Sequence, residues 1–257
     1  MTNTKFEHKV KKQLIPVCPI MGVDIAAINM GWLLQFTEEN IGKLSGDYMC
    51  VSNVHTTVMA YEDSNYRNIQ NGGIMAIPDG GPLSVVGRKR GHQEMQRTTG
   101  PSYLQNVLNE STEKKYRHFF YGSTEETLDK LKRELLKEYP NAQIVGMYSP
   151  PFRKLTPEED AEIVKQINTS EADFIWVGLG APKQEQWMAE HQGKVKGFMV
   201  GVGAAFDYMA HNIKRAPEWM QNMNLEWLYR LMQDPKRLFK RYLKTNIKFM
   251  WCILRGK

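Results

Sequence analysis

Residues 174–207 constrain the fold more than any other stretch. They read Phe-Ile-Trp-Val-Gly-Leu-Gly, then Ala-Pro-Lys-Gln-Glu-Gln-Trp, and finally Gly-Phe-Met-Val-Gly-Val-Gly-Ala-Ala-Phe-Asp. The apolar runs 174–177 and 198–200 have the length and continuity of parallel strands covered on both faces. Each ends in a glycine turn, Gly178 and Gly180 in the first and Gly201 and Gly203 in the second. Glycine there lets backbone approach a ligand closely and tolerates positive φ. Pro182 stands where a first helical position is expected, so the amides of Lys183 and Gln184 should face outward at a helix start, a setting that suits an anion. Turns at the carboxyl ends of adjacent strands form the usual ligand crevice of an open α/β sheet. A nucleotide diphosphate is the expected ligand.

Strand and helix alternate along the rest of the chain. Strands are expected at 19–24, 48–52, 73–77, 116–121 and 143–147. Helices are expected from the Asn29 cap to about 40, at 57–70, from 83, from Gly100-Pro101, at 123–139 behind a Ser123-Thr124-Glu125-Glu126 capping box, and at 156–168. This alternation predicts a Rossmann-like, mostly parallel sheet with helices on both faces. Residues up to about Lys12 read as a loose arm. From Pro217 the pattern changes to two helices, 225–232 and 238–251, separated at Asp234-Pro235. The expected division is a catalytic α/β domain over 1–215 and a basic, amphipathic helical appendage over 216–257.

Charge follows the same division. Eleven of the 34 Lys/Arg but three of the 28 Asp/Glu lie from His211 onward, so the net +6 belongs to the tail. Three widely spaced cysteines, Cys18, Cys50 and Cys252, give neither a disulfide framework nor a zinc pattern, and a reducing compartment is expected. The N-terminal apolar run is broken by Pro16, Pro19, Gly22 and Asp24, unlike a signal peptide. No uninterrupted apolar stretch of about 18 residues is present to span a bilayer.

Asp79 follows a buried strand in a turn and is the leading candidate for a general base, although Pro-Asp-Gly is also a common turn sequence. Asn53 and His55 fall at another strand end, beside the same crevice if the strand order is favourable, although an isolated histidine is more often structural than catalytic. Lys183, Gln184 and Glu185 occupy the first turn after Gly180, where a solvated helix face is the plainer alternative. Asp207 closes a glycine turn whose spacing is not that of the dinucleotide fingerprint. Neither a phosphate loop nor an Asp-x-Asp metal handle occurs. A departing diphosphate would then need fixed cations and backbone amides. Arg230, Arg237, Lys240 and Arg241 are available, with Lys214-Arg215. Basic and apolar residues interleaved in the tail also suit an anionic membrane surface. Two other classes fit less of the pattern: an RNA-binding or RNA-modifying protein using the basic tail, and a non-catalytic scaffold.

Together, Pro78-Asp79-Gly80, Gly180-Ala181-Pro182-Lys183-Gln184-Glu185, Gly201 to Asp207, Lys214-Arg215-Ala216-Pro217 and Leu225-Glu226-Trp227-Leu228-Tyr229-Arg230 resemble the WecG/TagA/CpsF glycosyltransferase family (glycosyltransferase family 26). The resemblance runs from about Cys18 to Tyr242. It implies a cytoplasmic enzyme, peripheral on the inner face of the membrane. Such an enzyme moves a sugar from a UDP-sugar to a polyprenyl-diphosphate-linked saccharide, with inversion, without a metal or other cofactor, and without nucleic acid as partner. The products implied are teichoic acid linkage units, common antigen or capsular repeats. It further implies Asp79 as base and a basic appendage, here Arg230 and Arg237 with Lys240 or Arg241, that meets the membrane and closes over the diphosphate. A homo-oligomer is also compatible with the apolar tail. The segment after Gly100 carries Ser102 where many members have Asp. The residues around Asn53 and Pro82 differ as well, which leaves the donor sugar open among N-acetylmannosamine, its uronic acid and other hexoses or hexuronic acids.

Overall fold

A computed structural model of the protein describes residues 6–257, except the side chains of Asn222 and Arg237. The elements in chain order are β1 (Val17–Ile20), β2 (Val23–Ala26), α1 (Met30–Leu44), β3 (Tyr48–Ser52), α2 (Val54–Glu62), α3 (Ser64–Gly72), β4 (Met75–Pro78), α4 (Gly81–Lys89) and α5 (Gly100–Lys114). They continue with β5 (Arg117–Gly122), α6 (Glu125–Glu138), β6 (Gln143–Tyr148), α7 (Pro157–Thr169), β7 (Phe174–Gly178), α8 (Lys183–Glu190), β8 (Phe198–Gly201) and α9 (Ala205–Met209). Three helices close the chain: α10 (Glu218–Asn222), α11 (Glu226–Gln233) and α12 (Pro235–Leu254).

The eight strands form one sheet in the order β1-β2-β4-β3-β8-β7-β5-β6, parallel except for the β1–β2 hairpin. Continuous apolar strands imply two covered faces, and the side chains divide accordingly. Phe174 and Trp176 of β7 and Phe198 and Val200 of β8 point into one core with Tyr103, Leu104 and Leu131. Ile175, Val177 and Met199 point into the other with Val58, Ile163 and Met188. Each such aromatic or aliphatic side chain contributes roughly 1.5–3 kcal/mol by leaving water.

The sheet's switch point positions the site. The chain leaving β3 turns into α2, whose Val58 and Ala60 join the second core. The chain leaving the adjacent β8 turns into α9, whose Phe206 and Met209 join the first. Helices departing to opposite faces leave a crevice between the carboxyl ends of their strands.

Several local expectations are corrected. Residues 19–24 form parts of two strands, because the chain reverses at Met21 (φ 52°) and Gly22 (φ 87°). The expected helix 57–70 is two helices, since Asp63 breaks it and caps α3 by accepting from the amides of Asn65 and Tyr66. Helix α6 is capped by Thr124, which accepts from the Thr127 amide, in place of the expected Ser123-to-Glu126 box. The described part of the N-terminal arm is tied down: His8 pairs with Asp47, and Lys12 Nζ donates to the carbonyls of Asn71 and Gly73. The three cysteines are buried and free. From Pro217 onward the chain adds helix and no strand. Among the described residues, no helix is long and apolar enough to cross a membrane.

Candidate active site

A cavity of about 900 Å³ lies over the carboxyl ends of β3, β4, β7 and β8. Its size suits a nucleotide-sugar with room for part of a second substrate. The floor is the two glycine turns. Gly180 (φ 77°) and Gly203 (φ 56°) adopt the left-handed conformation that favours glycine. Gly178 and Gly201 also line the cavity, and packing makes a second demand on them. A Cβ on Gly178 would lie 2.6 Å from the Phe206 ring, and one on Gly201 would lie 2.8 Å from Met188. Those two glycines are required by packing.

Gln184 ties the turns together. Its Oε1 accepts from the amides of Gly180 (3.2 Å) and Gly203 (3.0 Å), and its Nε2 donates to Gly201 O (3.2 Å) and Glu185 Oε1 (2.8 Å). Both Gln184 and Glu185 are buried and line the cavity. Glu185 Oε2 is buried without a hydrogen bond, and burial pushes this carboxyl above the usual range. The start of α8 differs from the expected anion cradle. The Gln184 amide is engaged by Gly180 O at 3.0 Å, and Lys183 is exposed and outside the lining.

Asp79 sits at the end of β4 beside Asn53 at the end of β3, because Ser52 and Pro78 are in register. The Asp79 amide donates to Ser52 O, and its carboxylate accepts weakly from the Gly100 amide at the head of α5 (3.4 Å). Burial raises the Asp79 pKa, opposed chiefly by the nearby Arg97 guanidinium. A half-buried carboxylate with so few donors is a stronger base than one in water. Asn53 caps α2, accepting from the amides of His55 and Thr56. His55 also lines the cavity, with Nδ1 buried and unpartnered. Burial and the Arg241 charge lower its pKa, so it is neutral near pH 7.

The C-terminal helices form the roof. Arg230 on α11 donates to the Tyr208 hydroxyl (2.6 Å), and Arg241 on α12 lines the same cavity. Asp207 lines it from α9, with one carboxylate oxygen bonded by Asn212 (3.3 Å). Lys240 is exposed and outside the lining, and the Arg237 side chain lies outside the described residues. The cavity therefore unites Asp79, Asn53 and His55 with both glycine turns and two tail arginines. Sequence reasoning gave no role to Tyr208, Glu226 or Arg97, which the fold also brings to the lining. Arg97 ends a basic, polar stretch, residues 88–97, whose composition does not point to its target. A surface group with metal-ligand spacing, Glu134, Glu138 and His211, lies outside the cavity.

Comparison with known proteins fits this geometry. The model of the glycosyl transferase WecG/TagA/CpsF family matches residues 18–257, nearly the whole chain. The chain belongs to that family. Among its relatives is the N-acetylglucosaminyldiphosphoundecaprenol N-acetyl-beta-D-mannosaminyltransferase of Bacillus subtilis (strain 168), 29% identical over 217 residues, which are 84% of this chain and 82% of the relative. The protein of the same name from Bacillus spizizenii is 28% identical over 82% of the chain and 79% of the relative. The Staphylococcus aureus (strain MW2) protein, also of that name, is 25% identical over 93% and 92%. These relatives are glycosyltransferases by name, and the cavity at the carboxyl end of the sheet is the candidate site in this chain.

Proposed function

We propose that this protein transfers a hexosyl group from a UDP-sugar to a polyprenyl-diphosphate-linked saccharide, with inversion at the anomeric carbon. The observation that carries the reading is the position of Asp79, half-buried at the foot of a cavity whose floor is two glycine turns and whose roof holds Arg230 and Arg241. The acceptor hydroxyl attacks the donor's anomeric carbon from the side opposite UDP. Asp79 takes its proton as the new C–O bond forms, and the bond to the diphosphate oxygen breaks. Arg230 and Arg241 stabilise the charge that collects on the diphosphate, so the reaction proceeds without a divalent ion. N-Acetylmannosamine, the sugar in the relatives' name, is the first donor to test.

The tail delivers the lipid acceptor. Phe239, Leu243, Ile247, Met250 and Leu254 recur at three- and four-residue spacing along α12, and all are exposed. Lys240 and Lys244 stand exposed among them, and Arg255 and Lys257 follow. An apolar stripe edged by lysines matches the interface of an anionic bilayer. We assign this face to the inner leaflet of the cytoplasmic membrane.

The test is Asp79→Asn, assayed with UDP-N-acetylmannosamine and a short polyprenyl-diphosphate N-acetylglucosamine acceptor. Turnover should fall by roughly 10²- to 10⁴-fold, the usual contribution of a general base, with UDP affinity nearly unchanged. Retained turnover would rule out the assigned base. Activity in the presence of EDTA tests the metal-free assignment independently.

A further inference from the structure

The turn that carries Asp79 is covered by the C-terminal segment. A Cβ on Gly81 would fall 2.4 Å from Asn224 Oδ1, so the α10–α11 connection lies directly on the Asp79-Gly80-Gly81 backbone. Arg97 bridges the two. Its Nε donates to Asp79 O (3.0 Å), its Nη1 to Gln221 O (3.4 Å), and its Nη2 pairs with the Glu226 carboxylate. Arg215 approaches the same carboxylate, with Nε 3.9 Å from Glu226 Oε1, while its Nη atoms donate to Gln105 and Ser102. Both guanidiniums nearest Asp79 are thus directed to a carboxylate on α11 and to neutral oxygens. Among the described residues, the Asp79 carboxylate makes no ion pair; its one hydrogen bond is the long contact from Gly100.

That arrangement has a chemical consequence. A carboxylate in direct contact with a guanidinium is stabilised as the anion and is a poor proton acceptor. Arg97 is held by a backbone carbonyl of the same residue, so the ion pair with Asp79 is within its reach. Glu226 occupies it instead. The charges facing Asp79 are Arg97, Arg215 and Glu226, with the Gly100 amide and the Tyr208 hydroxyl as neutral neighbours. Glu226 offsets one of the two positive charges.

We propose that Glu226 is a positioning residue that holds the Arg97 guanidinium away from the Asp79 carboxylate, so that the base is competent only when the C-terminal segment is docked. The inference rests on Asp79 being the base. It makes the appendage more than a source of arginines for the diphosphate: docking of α11 also completes the base.

The experiment compares the full-length chain with Glu226→Gln, Glu226→Asp, Arg97→Gln and Asp79→Asn. The readouts are the pH dependence of kcat/KM with a short acceptor, and UDP affinity. In Glu226→Gln, Arg97 loses its partner, so the acid limb should move to lower pH and the plateau should fall on the order of three- to tenfold as the base weakens. UDP binding should not weaken, because the cavity has become more positive. Glu226→Asp should restore the limb. Arg97→Gln leaves Glu226 uncompensated beside Asp79 and should move the limb the other way, to higher pH; it provides the reading if Glu226→Gln does not fold. A limb unmoved in both variants, at whatever rate, overturns the proposal and reduces the Arg97–Glu226 pair to scaffolding. Retained turnover in Asp79→Asn instead sinks the base assignment, whereas an inactive Asp79→Asn with unmoved limbs elsewhere sinks the role of Glu226 alone.

Discussion

Replacing Gln184 by methionine keeps the volume of a buried side chain and deletes all four of its hydrogen bonds. Gly180 N, Gly203 N and Gly201 O lose a partner, and the Glu185 carboxylate loses a donor. An unsatisfied buried neutral group costs about 1–3 kcal/mol, and a bond to a charged group is worth about 1.5–3 kcal/mol. The two glycine amides border the cavity, where water can replace Oε1, so they belong at the low end. Gly201 O and Glu185 Oε1 are buried and belong higher. With a methionine's gain in apolar burial subtracted, the expected loss is about 3–5 kcal/mol, a large share of a typical domain's stability. Urea unfolding should show it as a midpoint lowered on the order of 1–2 M at unchanged slope. UDP affinity should fall with it, since the floor turns lose their common anchor. Gln184→Glu sharpens the test. It preserves an acceptor for the glycine amides but sets a second carboxylate against Glu185, and like charges at such range raise the folded-state pKa of at least one. A raised carboxyl pKa favours the fold at low pH and withdraws that support as pH rises, so this variant's deficit should grow between pH 5 and 8. A loss below about 1 kcal/mol in Gln184→Met, or a pH-independent deficit in Gln184→Glu, would refute the assignment of the turns to this one side chain.

Two other outcomes are expected. His118 is buried between Trp176 Nε1, which donates to its Nδ1 (3.2 Å), and Ser111 Oγ at 2.7 Å from Nε2, and burial lowers its pKa to about 3. The unfolded chain binds this proton near pH 6.5, so stability should be lost as pH falls from there toward 3, with a slope of up to about 1.4 kcal/mol per pH unit. His118→Leu should flatten that slope in urea midpoints taken across the range, and parallel slopes would contradict it. On the α12 stripe, Leu243→Glu with Ile247→Glu should weaken sedimentation with anionic vesicles by on the order of tenfold or more, as apolar burial is replaced by charge repulsion. Transfer to a short soluble acceptor should persist, and unchanged vesicle binding would exclude this face.

How far the sequence discloses the molecule depends on the range of the interaction. β7 and β8 are legible because continuous apolar runs ending in glycine have few alternatives to buried parallel strands. Asp79 is legible as a strand-end carboxylate. The β1–β2 reversal is not, because Met21 at positive φ carries no turn signal. The break at Asp63 is hidden inside a stretch whose helical character continues on both sides. Gly178 and Gly201 are legible as cavity-lining glycines, but the rings and side chains of Phe206, Met188 and Gln184 that also exclude a Cβ there are not. Lys183 and Lys240 have the charge a diphosphate needs, and helix phase turns them to solvent. The Arg97–Glu226 pair joins residues 129 apart in sequence, a separation at which spacing carries no information.

The same helix phase that exposes Lys240 explains why one element can serve both membrane and cavity on the proposed reading. α12 spans 20 residues, about 30 Å of helix. Tyr242, Thr245 and Phe249, at three- and four-residue steps, face the cavity and α2. Phe239, Leu243, Ile247 and Leu254 lie on the outer side and are exposed. With lysines along that outer side, the helix is suited to lie in a bilayer interface rather than to cross it. An acceptor anchored in that bilayer must bring its diphosphate to the depth of α12, where Arg241 faces inward. Docking of the outer stripe then holds the inner stripe over the cavity, and α11, joined to α12 through Asp234, brings Arg230 and Glu226 to the diphosphate side and the base side of the site together. A soluble acceptor forgoes this coupling, so the ratio of rates on vesicle-bound and soluble acceptors should fall in the stripe variant even where the soluble rate alone is unchanged.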